Sequence, residues 1–134
     1  MRTIKFKAKR EDNGQWIIGD LMQQIDGYVL IGDNTGPWTD DGYSPCDYHC
    51  VCKVDPDTVC QFTGLFDSTG KEIYEGDILR LGFVIFEVLW REDYGAFQLK
   101  RRFAREFGAT LIGPLLNHYK SKVIGNIFDN KSDK

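Results

Sequence analysis

One stretch of the chain gathers the residue types that ligate metals. Cys46-x3-Cys50-x-Cys52-x7-Cys60 holds the four cysteines of the sequence, with His49 among them. Zinc takes four soft or borderline donors in a tetrahedron, usually from CxxC knuckles that reverse the chain sharply. No CxxC occurs here, and Cys50 and Cys52, two apart, share one face of a strand, which suits packing as well as chelation. Free cysteine is among the most buried residue types. The spacing therefore predicts small buried thiols ahead of a zinc site, and no cofactor. In a reducing cytosol they stay free, whereas an oxidising compartment would admit three disulfide pairings.

A second constellation is basic. Over residues 100–122, Lys100, Arg101, Arg102, Arg105, Lys120 and Lys122 stand against Glu106 alone, with Phe97, Phe103 and Phe107 beside or among them. On a small β-barrel, Lys100, Arg101, Arg102 and Arg105 would contact phosphates and Phe103 would stack a base, as in single-strand nucleic-acid binding. Over residues 32–60 the imbalance is reversed: Asp33, Asp40, Asp41, Asp47, Asp55 and Asp57 face only Lys53. A basic segment can equally meet the acidic segment of a neighbouring subunit. The net charge of −3 favours that reading, or a solvated face, over nucleic acid.

Signatures of catalysis are missing. The sequence has no GxSxG elbow, no Walker loop and no GxGxxG. Cys50 or Cys60 could pair with His118 as nucleophile and base only if the fold happened to join them. Glu75 and Asp77 flank Gly76 and read as turn chemistry. The acidic residues 33–42 do not complete an EF-hand register. The expectation is a non-enzymatic protein without catalytic residues.

The elements that would position these groups are mostly strands. At 134 residues, 42% hydrophobic, the chain is long enough for one domain with a real core. Ile4, Phe6 and Ala8 alternate with Lys5, Lys7 and Lys9, which predicts a half-buried strand. Asn13-Gly14 signals a tight hairpin, with Trp16 and Ile18 inward on the returning strand. Asp26-Gly27 marks the next turn, before a strand over residues 28–31. A long loop is expected over 32–46, then a strand over 49–54 ended by Asp55-Pro56-Asp57. Residues 84–90 and 96–102 read as a hairpin with Phe97 and Leu99 inward, and residues 123–128 as a closing strand. The count of short strands predicts a mainly β, antiparallel, partly barrel-like (SH3-like) fold, with one short helix near 103–119; α+β is the alternative.

Residues 61–79, Gln61-Phe-Thr-Gly-Leu-Phe-Asp-Ser-Thr-Gly-Lys-Glu-Ile-Tyr-Glu-Gly-Asp-Ile-Leu79, resemble the long motif of the YopX family of prophage and phage proteins. Ile4-Lys-Phe6, Trp16-Ile-Ile-Gly-Asp20, Val54-Asp-Pro-Asp-Thr-Val59 and Val123-Ile-Gly-Asn-Ile-Phe128 match its other landmarks, so the resemblance touches most of the chain. Cys60 stands where glycine is more usual, which speaks against a family-wide metal site. The resemblance implies a single domain over 1–134, with a hairpin subregion 1–31 and a barrel-like subregion 60–128. It implies an accessory protein of phage or prophage and supplies no catalytic or binding residue. Gly64, Gly70, Gly76 and Asp77 are expected to be structural.

The N-terminal ten residues alternate apolar and basic types without an apolar core, unlike a signal peptide. Apolar runs such as residues 83–86 fall far short of the ~20 residues of a membrane helix. A cytoplasmic location and no membrane partner are expected. The charge asymmetry and the aromatic load, including Trp38 and Tyr43, predict a homo-oligomer or a phage or host protein partner.

Overall fold

A computed structural model of the chain describes residues 3–33, 50–101 and 110–129. Its strands pair antiparallel throughout, and the chain divides into two compact units, Met1–Gln61 and Phe62–Lys134.

The first unit contains β1 (Phe6–Lys9), β2 (Trp16–Gln23), β3 (Val29–Asp33), β4 (Cys50–Lys53), a 3-10 turn (Pro56–Thr58) and the start of β5 (Cys60–Phe66). These lie in the order β4-β3-β2-β1-β5. The Asn13-Gly14 turn closes β1 onto β2: the Gly14 N–H donates to the Arg10 carbonyl, and Asn13 Oδ1 accepts from the Gln15 N–H. At the far end Val54 forms a single bridge to Arg10, so the sheet curls without closing. The 3-10 turn is capped by the Asp55 carboxylate, which accepts from the Asp57 N–H at 3.0 Å.

The core of this unit is Ala8, Ile17, Ile31 and Val54. The strand over Trp16–Gln23 exists as expected, but its phase is one residue off. Register pairs Ala8 with Ile17 and Lys9 with Trp16, so Ile17 is the buried residue, while Trp16 and Ile18 share the face of Lys7 and Lys9. Trp16 is no core residue there; the Lys7 and Lys9 ammonium groups sit 4.8 and 5.5 Å from its ring centroid, where the ring quadrupole attracts them. Lys9 is itself buried, its N–H donating to Thr58 Oγ1 at 2.9 Å. Ile4, expected inward, is exposed. Gly32 and Asp33 belong to β3 rather than to the expected loop; residues 34–46 of that loop, Trp38 and Tyr43 included, lie outside the described residues.

The second unit pairs the rest of β5 with β6 (Glu72–Tyr74), beside a sheet in the order β10-β9-β8-β7-β11. Its strands are β7 (Asp77–Leu81), β8 (Val84–Arg91), β9 (Ala96–Arg101), β10 (Thr110–Leu111) and β11 (Ser121–Asn126). The predicted short helix is present as α1 (Ile112–His118), within the expected span; residues 103–109 of that span lie outside the described residues. One sheet face carries Leu79, Leu81, Val88, Leu99 and Val123, packed with Ile73 of the hairpin and Ile112, Leu115 and Leu116 of the helix. Leu99 is buried and Phe97 packs against the same cluster, as the alternation predicts. The described strands form no closed barrel. β10 has only two residues before the chain turns into α1, and β11 pairs with β7 at the other edge, so the described strands leave the sheet open.

Gln98, on the other face of β9, is buried, and its Oε1 has no hydrogen-bond partner among the described residues. A buried unsatisfied acceptor costs about 1–3 kcal/mol. Gln98→Met, which keeps the side-chain length and removes the orphaned oxygen, is expected to leave stability unchanged or raise it by about 1 kcal/mol in urea unfolding.

Candidate functional site

The long motif is a backbone-locking device. Gly64, Gly70 and Gly76 have φ of 85°, 89° and 83°, a region that side chains with Cβ rarely adopt. Gly64 lies where the β5–β6 register shifts, as expected of a bulge. Asp67 is buried, and its two carboxylate oxygens serve opposite sides. Oδ1 accepts from the Thr69 N–H, the Thr69 hydroxyl and the Lys71 N–H at 2.9, 2.6 and 2.9 Å, while Oδ2 accepts from the Val123 N–H at 2.9 Å. Burial works to raise the Asp67 carboxyl, but these bonds outweigh it and hold the group below its ordinary value. Ser68 adds two bonds to Ser121, one from its N–H and one to its Oγ. The turn thereby covers the outer edge of β11, a strand edge that would otherwise be open for pairing.

Asp77 is buried as well. Its Oδ2 accepts from the Tyr74 N–H at 2.8 Å and its Oδ1 from Asn126 Nδ2 at 2.9 Å. Burial pushes the Tyr74 phenol well above its ordinary value, and the Glu72 carboxylate, which accepts its hydroxyl proton at 3.1 Å, adds to the shift. These acidic groups hold backbone and side-chain donors of their own unit; Asp77 and the positive-φ glycines Gly64, Gly70 and Gly76 are structural, as expected.

The cysteine cluster is described only in part. Cys46 and His49 lie outside the described residues, and of Cys50 only the backbone is described. Cys52, on β4, pairs with Ile31 and packs against the first core. Cys60, on β5, pairs with Lys7, is fully buried and donates from Sγ to the Thr58 carbonyl at 3.3 Å. The two strands stand at opposite ends of the order β4-β3-β2-β1-β5. Among the described residues no three metal-binding side chains converge. In thiol titration of the native protein, Cys60 is expected to stay unreactive until denaturant is added, with Cys52 reacting ahead of it.

The basic segment is divided by the pleat. Lys100 and Arg101 are neighbours on β9 and so point to opposite faces of the sheet; Arg102, Phe103 and Arg105 lie outside the described residues. Register assembles a different group. Lys122 of β11 stands opposite Arg80 of β7, both exposed, and Glu87 of β8 links Ile78 to Lys100 across three strands on the same face. Ile124, on β11 beside them, is 47% exposed. Sequence reasoning counted basic residues along the chain; Arg80 and Lys122, 42 positions apart, become a pair only through the β7–β11 register.

A family model described as YopX protein matches residues 5–132. The chain belongs to the YopX family. The match spans both units and includes the Asp67 and Asp77 locks, Arg80 and Lys122. No curated protein matches the chain. No helix among the described residues is long and apolar enough to cross a membrane.

Proposed function

We propose that this YopX-family chain is a non-enzymatic accessory protein of phage or prophage origin that acts in the cytoplasm by assembly, through the exposed Arg80–Lys122 part of the five-stranded sheet. The observation that supports this is the Arg80–Lys122 pair. Like charges directly opposite on adjacent strands oppose sheet pairing, by an amount of the order of the ~0.2–1 kcal/mol that favourable pairs contribute. An acidic partner turns that opposition into attraction. The chain carries such a partner itself, in the six aspartates of residues 32–60 against Lys53 alone. Two copies can therefore meet basic face to acidic segment, a heterologous contact that closes into a ring if its rotation permits.

Light scattering at low and high salt tests this reading with wild type and the Arg80→Glu, Lys122→Glu double variant. Wild type is expected to form a defined oligomer at micromolar concentration that weakens as salt screens the contact. The variant, exposed at both positions, is expected to remain folded and monomeric. A wild-type monomer throughout overturns the proposal. A salt-dependent shift with single-stranded oligonucleotides, lost in the same variant, would instead assign the face to nucleic acid, with Lys100 as its third cation.

A further inference from the structure

In the first unit, β4 meets the end of β1 and then parts from it. The Glu11 N–H donates to the Lys53 carbonyl at 3.1 Å, and the Asp55 N–H donates to the Lys9 carbonyl at 2.8 Å. Past Glu11 the chain enters the hairpin turn and this ladder ends. The Val54 N–H donates to the Val29 carbonyl, so Val54 serves β3 while Lys53 serves the outer side. Antiparallel strands alternate in this respect, which directs the N–H and C=O of Val51 outward as well. Among the described residues, those two groups and the Lys53 N–H have no hydrogen-bond partner. A groove of about 480 Å³ follows this edge, lined by Arg10, Glu11, Asp12, Val51, Cys52 and Lys53.

We propose that this edge docks an extended segment of a partner polypeptide, which adds to β4 as a short strand opposite Val51. The open groups run donor, acceptor, donor along the edge, the complement of an extended main chain. The charges on the rim are already matched, Arg10 to Asp12 at 2.7 Å and Lys53 to Glu11 at 3.4 Å. The groove therefore asks no particular charge of its occupant. Recognition is through main-chain bonds, tolerant of sequence, with an apolar residue favoured against the half-exposed Val51 side chain. The site shares no residue with the Arg80–Lys122 face and does not depend on that reading.

Amide hydrogen exchange by NMR reads the edge directly, with an acetylated, amidated Thr-Val-Thr-Val-Thr peptide as the probe. In the free protein the Val51 and Lys53 amides are expected to exchange ~10-fold or more faster than those of Cys52 and Val54, which face β3. Titration with the peptide is expected to slow them and to saturate. The same peptide N-methylated on the residues that face β4 is expected not to bind, whereas N-methylation on the alternate residues leaves binding intact. Val51→Pro, which removes one edge donor, is expected to weaken binding; should that variant not fold, the N-methylated peptides decide the matter. Protection of Val51 and Lys53 without peptide, equal binding of both methylated peptides, or no saturable change overturns the proposal. Protection that appears only as protein concentration rises assigns the edge to a second copy and overturns it too.

Discussion

Gly19→Ala is expected to lower the stability of the first unit by about 3 kcal/mol or more, at or above the upper end of the ~1–3 kcal/mol typical of overpacking. A Cβ at Gly19 would collide with the Gly32 carbonyl oxygen and stand 2.7 Å from its carbon. Both obstacles are backbone of the adjoining strand, so no side-chain rotation relieves the contact. The only relief is to move β3 away from β2, which disrupts the pairs Asp20–Gly32 and Leu21–Ile31 and unpacks Ile31, a fully buried core residue. Urea unfolding followed by tryptophan fluorescence, with Trp16 in the affected unit, measures the loss as a lowered midpoint at unchanged slope. Gly70→Ala provides the comparison: its φ of 89° strains a Cβ residue, but nothing lies within 4 Å of the added methyl. That change is expected to cost only about 1–2 kcal/mol. A Gly19→Ala loss no greater than that of Gly70→Ala would contradict the close approach of the two strands.

Asp67→Asn is expected to cost about 3 kcal/mol in the second unit, because hydrogen bonds to a charged acceptor contribute about 1.5–3 kcal/mol each. Four donors converge on the two oxygens. An amide can offer its single oxygen to the Thr69 and Lys71 side or to Val123, never to both, and its NH2 then faces an N–H on the other side. If Val123 loses, the edge of β11 loosens; if Thr69 and Lys71 lose, the turn does. The pH dependence identifies the carboxylate as the cause. The folded group titrates below its ordinary value of 3.8, so its contribution is present above pH 3.8 and is lost as pH falls through the folded value. The stability difference between wild type and Asp67→Asn is therefore expected to be full at pH 7 and to shrink below pH 3.8. A difference that stays constant down to pH 2.5 would show that shape rather than charge carries the effect.

The local code of this chain was readable where a single turn or a single alternation determines the outcome. Asn13-Gly14 positions a hairpin because it satisfies its own turn bonds. The alternation of β9 places Phe97 and Leu99 inward because one face is packed by the unit's hairpin and helix. Reading failed where the decisive partner is distant. Trp16 and Ile18 outweigh Ile17 in bulk, yet the register with β1 buries Ile17 opposite Ala8 and leaves Trp16 to the lysines. Alternation puts Lys9 on the polar face of β1, yet it is buried, and its backbone N–H donates to Thr58, 49 residues away. Nothing near Asp67 in the sequence signals its bond to the Val123 N–H, which spans 56 residues. The basic face was hidden for the same reason, since counting charges along the chain favoured residues 100–105, which the pleat divides.

Native mass spectrometry of untagged protein, run beside the Arg80→Glu, Lys122→Glu variant, tests the assembly claim most directly, because it counts subunits and weighs whatever they retain. Wild type is expected as a discrete oligomer of bare chain mass per subunit, and the variant as monomer. A wild-type monomer, or an oligomer that survives the double charge reversal unchanged, would contradict that claim.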